Sequence, residues 1–184
     1  MLPDTPDNTV VPFRPGAYTV RLANRGWERD HALALRRQVF CVEQGLFSKS
    51  DRDEVDRHAQ PIVALSWYSG MADQVVGTVR IHEASPGLWY GSRLAVAEGY
   101  RRMACLGTEL IRLAVGTAHA RGCTRFLAQV QQRNVPLFES LHWQVLETID
   151  VRGRPHAFME ADLAQYPPCA ESELGIVTTS HRVA

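Results

Sequence analysis

The sequence predicts a single α/β domain of the α+β kind, and three observations carry that expectation. Residues 88–122, LWYGSRLAVAEGYRRMACLGTELIRLAVGTAHARG, read as a strand, a basic turn and a long helix. Residues 61–68 (PIVALSWY) and 75–83 (VVGTVRIHE) read as strands joined by the polar connection SGMADQ. Residues 144–151 and 155–162, parted by the turn Arg152-Gly153-Arg154, form a closing hairpin. At 184 residues one domain is the default, long enough to bury a substantial core.

Taken in order, residues 1–16 are proline-rich and polar and read as a flexible arm. Residues 17–23, AYTVRLA, alternate as a first strand. Residues 27–44 read as a helix with Ala32, Leu35, Val39 and Phe40 on one face. The charged run 48–58, SKSDRDEVDRH, reads as a solvated loop. In the long middle helix, from about Cys105 to Arg121, Leu106, Leu110, Leu113, Ala114, Val115 and Ala118 recur at three- and four-residue spacing. Gly122 sits where a C-terminal cap belongs. Residues 124–131 form another strand, and Asn134 reads as the N-cap of a short helix with Pro136 in its first turn. Beyond Pro167-Pro168 the chain is polar, so the domain is expected to span 17–165, with a flexible tail over 166–184.

Composition narrows the function classes. An apolar content of 45% with 22% charged residues is that of a soluble globular protein. A formal net charge of zero argues against a nucleic-acid binder. No apolar run approaches the roughly 20 residues that span a bilayer, and MLPDTPDNTVVPFRPG lacks the charged region and apolar core of a signal peptide. Cys41, Cys105, Cys123 and Cys169 show no paired spacing and the histidines no metal spacing, so neither disulfides nor a metal are expected. A reducing, cytoplasmic setting fits this pattern. No internal repeat is visible.

The turn before the middle helix carries the chemistry. First-turn amides have no intrahelical partners and lie at the positive end of the dipole, which favours an anion there. Gly107 permits close approach of backbone to a ligand, and Arg101 and Arg102 can add charge-assisted hydrogen bonds. An ordinary strand-to-helix connection with solvated arginines explains the same residues.

The segment LAV-x-x-x-YRRMACLGTELI resembles the acetyl-coenzyme A signature of the GNAT (general amine N-acetyltransferase) superfamily, Arg/Gln-x-x-Gly-x-Gly/Ala. Arg102, Cys105 and Gly107 fall on its three positions, and Cys105 replaces the usual first glycine. LRRQVFCVEQ resembles the first-helix segment LR-x-x-VF-x-x-EQ of GNAT proteins, and more loosely the same region of acyl-homoserine lactone synthases. GTVRI is similar to the third strand, and NVPLFESLHW to N-x-x-A-x-x-(F/L)Y-x-x-x-GF, with Phe138 at a usual tyrosine and His142-Trp143 for Gly-Phe. The resemblance covers roughly residues 17–165 and also touches a bacterial subgroup linked to nitrogen-starvation clusters.

That resemblance implies a mixed, mostly antiparallel sheet of six to seven strands, flanked by about four helices and splayed between strands four and five. It implies acetyl transfer from acetyl-CoA to a small primary amine by direct attack within a ternary complex, with no metal, nucleic acid or membrane partner. Backbone groups of Leu94, Ala95 and Val96 would hold the acetyl and pantetheine parts. Arg101, Arg102, Met103, Ala104, Cys105, Leu106, Gly107 and Thr108 would hold the pyrophosphate, with Asn134 and Phe138 beside the pantetheine arm. Glu54 and Asp56 would meet a cationic amine, with Glu43 and Arg80 at the same pocket. Tyr90 and Ser92 stand where many relatives carry Glu or His, so a proton relay through water is implied, with His82, Glu83 and Glu43 as backups. Phe138 cannot reprotonate the leaving thiolate, which implies slower chemistry. Dimers are common in the resembling family, so a homodimer is allowed. Two alternatives stay open. One is an acyltransferase related to acyl-homoserine lactone synthases, using longer acyl donors. The other is a non-catalytic acyl-CoA sensor, motivated by Cys105, Phe138 and the missing base.

Overall fold

Alternating apolar residues along the chain build one large sheet, and two helices cover its faces. A computed structural model describes residues 16–103 and 105–179. The elements are β1 (Ala17–Leu22), α1 (Gly26–Arg37), β2 (Gln60–Tyr68), β3 (Met71–Ser85), β4 (Leu88–Val96), α2 (Leu106–Ala120), β5 (Arg125–Gln131), α3 (Val135–Ser140), β6 (Trp143–Val151), β7 (Arg154–Ala161) and β8 (Ile176–Thr179). The strands form a single sheet in the order β6-β7-β5-β4-β3-β2-β1-β8. Every neighbour is antiparallel except β4 and β5, which run parallel.

Period-two alternation gives the sheet two apolar faces. On one, Val63, Leu65 and Val75 pack with Ala32, Leu35, Val39 and Phe40 of the first helical segment. On the other, Ile62, Ala64, Val76 and Ile81 meet Leu106, Leu110, Ala114 and Ala118 of α2. Gly77 lies under this contact: a Cβ there would sit 2.9 Å from Leu110 Cδ1. The carboxylate of Glu28, fully buried, starts α1 by accepting the Asn24 and Arg25 amides and the Arg21 guanidinium. Beyond Arg37 the helix widens into a π-helical turn over Gln38–Glu43 that buries Val39 and Phe40. Gly122 ends α2 at φ +87°, a conformation glycine adopts without strain.

The α/β class and the mostly antiparallel sheet agree with expectation, but the counts differ. Among the described residues there are eight strands and three α-helices. The eighth strand comes from the segment expected to be a flexible tail, where Ile176–Thr179 pairs with β1. The strap leading to it crosses α2, with Cys169 donating its amide to Gly116 O at 2.9 Å. Most of the expected arm lies outside the described residues. The β2–β3 connection is a two-residue turn, with Ser69 and Gly70 both at positive φ, rather than the six-residue SGMADQ. The Asn134 side chain makes no capping hydrogen bond.

Candidate active site

The parallel strands β4 and β5 stay together only briefly. Their register runs from Leu88 opposite Arg125 to Gly91 opposite Ala128 and then stops. Beyond Gly91, β4 continues to Val96 paired with β3 alone, while β5 continues to Gln131 paired with β7. One residue more on β4 than on β3 separates the pairs Arg80–Ser92 and Thr78–Ala95, and Arg93 takes φ +57° in this bulge. The strands part around a cleft of about 370 Å³.

Backbone polarity along its β4 edge follows from one hydrogen bond. Ala97 donates its amide to Val76 O on β3 at 2.9 Å. Strand amides alternate sides, so those of Leu94 and Val96 face the open edge toward β5. Val96 O faces the same way, and there it accepts from Arg101 Nε at 3.0 Å.

On the face shared with α1, the cross-strand pairs Arg80–Ser92 and His82–Tyr90 stand side by side. The His82 and Tyr90 rings stack at 5.6 Å, His58 meets His82 edge-on at 5.5 Å, and Tyr90 stacks on Phe158 at 6.5 Å. His82 Nδ1 is shut off from solvent and has no hydrogen-bond partner among the described residues. Burial, followed by the charges of Arg80 and His58, lowers the pKa of His82 from its usual 6.5, which keeps the ring neutral. Unpartnered buried nitrogens are uncommon in folded proteins.

Three arginines and three aspartates close this side of the cleft. Arg36 bonds Asp51 at 2.7 Å and Asp56 at 2.6 Å. Arg80 forks onto Asp53 at 2.6 and 2.7 Å, reaches Asp56 at 2.8 Å, and donates from Nε to Ser92 Oγ at 2.8 Å. Arg93 reaches Asp51 and Asp53, each at 3.1 Å. The hydrogen bond from Arg80 holds the Asp53 carboxyl below the usual carboxylate range. Burial would raise Asp56, but its bonds to Arg36 and Arg80 outweigh that and hold it well below the range. The charges balance, three against three.

After β4 the chain turns into the entrance to α2, whose Ile111 and Ala114 further along line the cleft. Cys105 occupies its N-cap in a left-handed conformation (φ 50°, ψ 34°) and is exposed. A Cβ built on Gly107 meets nothing within 4 Å, so the approach to the first-turn amides is open.

A family model described as the acetyltransferase (GNAT) family matches residues 28–143, from α1 to the start of β6. The chain belongs to that family. It is a GNAT-type acyltransferase, and among curated proteins none matches it in sequence. Solved structures share the GNAT fold. A candidate N-acetyltransferase of Lactobacillus plantarum is 22% identical with a TM-score of 0.70, over 79% of this chain and 98% of its own. Escherichia coli ElaA is 21% identical with a TM-score of 0.65, over 79% and 98%. An acyl-CoA N-acyltransferase of Pseudomonas aeruginosa is 20% identical with a TM-score of 0.61, over 78% and 97%.

Within this GNAT fold the expected residues divide. Tyr90, Ser92, Leu94, Arg80, Asn134 and Phe138 line the cleft. Ala95 instead packs under α1, while Leu106 is buried against the sheet. Arg102 and Cys105 are exposed, and Met103 and Thr108 half-buried, around the helix entrance; Ala104 lies outside the described residues. Arg101 is held by Val96 O and Glu43, which occupies Glu43 as well. Glu83 accepts the Gly87 amide in the β3–β4 turn at 2.9 Å, away from the cleft. Glu54 points outward, 80% exposed and paired with Arg57. Asp56 is bound between Arg36 and Arg80. The run 48–58 is thus no simple solvated loop, since Asp51 is 1% exposed.

The sequence leaves His82 unplaced and does not single out Arg152, His156 or Phe47, which also line the cleft. Strand parity could have found His82, two residues from Arg80 on the same face. No local signal marks the others. Among the described residues no group of three or more His, Cys, Asp or Glu is arranged to hold a metal.

Proposed function

We propose that this protein transfers an acetyl group from acetyl-CoA to the primary amine of a small molecule by direct attack in the cleft. The observation that carries the reading is the parting of β4 and β5 after Gly91 and Ala128, together with open space at Gly107 in the first turn of α2. The pyrophosphate would lie on the amides of Gly107 and Thr108, with Arg102 beside it. The Leu94 and Val96 amides would take the pantetheine and the thioester oxygen, where charge develops in the transition state. Arg101 would have to release Val96 O as the pantetheine enters.

The amine must be neutral to attack. Ser92 already receives the Arg80 guanidinium, and a hydroxyl beside that cation is no base. His82 fits the role better, being neutral and lining the cleft. Tyr90 would orient its ring by stacking, and Ser92 would relay a water. Phe138 is buried edge-on against Trp143 and offers no proton to the leaving thiolate. A thiol of pKa about 8.5 leaves tolerably as the anion near neutrality. Calorimetry with acetyl-CoA and a thiol-release screen against amines test the reading: micromolar binding with release supports it, and no binding refutes it.

A longer acyl donor is the second reading. The cleft wall on the α2 side is apolar, built from Ile111, Ala114, Phe126, Phe138 and Trp143. Faster release from octanoyl-CoA than from acetyl-CoA would favour it.

A further inference from the structure

We infer that the acceptor carries a carboxylate beside its amine, and that Arg152 holds it; this rests on the transferase reading above. The acceptor end of the cleft is the end away from α2, bounded by the segment after α1, the β4 bulge and the β6–β7 turn. Two bonds tie these walls together: Arg154 donates to Gln44 O at 2.7 Å, and Gln131 to Gln44 Oε1 at 2.9 Å. The turn therefore sits as a fixed roof, and Arg152 at its tip lines the cleft.

The charges at this end are unequal once the pairs are counted. Asp51, Asp53 and Asp56 are each bonded to two of the three arginines Arg36, Arg80 and Arg93. Glu54 is turned outward. None of these carboxylates is free to receive a cationic acceptor. Arg152 differs: among the described residues no carboxylate lies within ion-pair distance of it, and Asp150, its neighbour in the turn, accepts the Gly153 amide at 2.8 Å. Its guanidinium lies over the Phe47 ring at 4.3 Å, and Arg93 lies over the same ring at 4.8 Å. The ring supports the guanidinium from one side and leaves its N–H groups for a ligand. The planar guanidinium fork matches one carboxylate in a bidentate pair. An amino acid bound this way would place its anionic group at the roof and its amine toward His82 and the thioester.

The test pairs α-amino acids with their own carboxamides, and adds putrescine as a cationic control. In thermal-shift assays on the chain without acetyl-CoA, at least one amino acid is expected to raise the melting temperature while its amide and putrescine do not. Arg152→Gln removes that shift and Arg152→Lys restores part of it. In thiol-release assays kcat/KM is expected to favour the acid over its amide by about 10- to 100-fold, the range of a hydrogen-bonded charge pair. In Arg152→Gln the ratio falls to within about threefold, through KM and with acetyl-CoA affinity unchanged. Amides or putrescine binding as well as the acids, or a preference that survives Arg152→Gln, overturns the inference. Failure of acetyl-CoA to bind while amino acids still protect would refute the transferase reading and leave the carboxylate site standing.

Discussion

Gly107→Glu separates the fold from the ligand, because the two are expected to respond in opposite directions. The position is in the first turn of α2, its φ is ordinary, and a new Cβ meets no atom within 4 Å. Glutamate replaces glycine at a gain in helix propensity of about 0.5 kcal/mol. Its charge at the positive end of the helix adds about 0.3–1 kcal/mol. Stability should therefore hold or rise, by about 2–4 °C per kcal/mol for a chain of this size. Against a bound pyrophosphate the same charge is repulsive. At a separation of about 5 Å and an effective dielectric near 20, each pair of charges costs about 3 kcal/mol. That is roughly a 100-fold loss of acetyl-CoA affinity. Calorimetric titration and a melting curve on the same sample measure both. A dissociation constant within about threefold of wild type, with the fold intact, would refute the placement of the phosphates.

Four further outcomes follow from the geometry. His82→Gln should lower kcat by about 100-fold or more at neutral pH, as for loss of a general base. In the wild type, kcat/KM should fall as pH drops through a value below the usual histidine pKa of 6.5, and that acidic limb should vanish in the variant; an unchanged limb excludes His82. Arg36→Met leaves buried Asp51 and Asp56 with weaker compensation and should cost about 3–5 kcal/mol in denaturant unfolding. Because the carboxyls of Asp53 and Asp56 are depressed in the folded state, their contribution is complete above about pH 4 and lost as pH falls through their folded values. The melting temperature should thus decline below about pH 4, and by less in Asp56→Asn. Cys105→Gly should stabilise the chain by about 1 kcal/mol, since it relieves a left-handed non-glycine residue, and should leave acetyl-CoA binding in place; a destabilised variant would mean that the cysteine side chain makes a needed contact.

The regular elements were legible because each had a periodic signal of its own. The α2 stripe from Leu106 to Ala118 and the Arg152-Gly153 turn are examples, the latter with both residues at positive φ as a tight hairpin requires. The strand β8 was not legible. Four residues, IVTT, after a proline pair and a polar stretch hold no alternation long enough to read, and their pairing with β1 is a contact across most of the chain. The acidic loop misled for a related reason. Its charge run looks the same whether it faces water or faces Arg36, Arg80 and Arg93, and those partners come from three separate elements. Glu43 and Arg101, 58 positions apart, are a further case. For the site, the resemblance pointed to the edge of β4 and the entrance to α2. It could not show that the residues expected to attract a cation already have partners.

The central requirement is that acyl-CoA occupies the cleft with its phosphates at the start of α2. A titration of the 15N-labelled chain with acetyl-CoA tests this directly. Saturable amide shifts concentrated at Leu94, Val96, Gly107 and Thr108, with β8 undisturbed, are the expected result. Shifts that miss the open edge of β4 and the first turn of α2, or no saturable shifts at millimolar ligand, would contradict it.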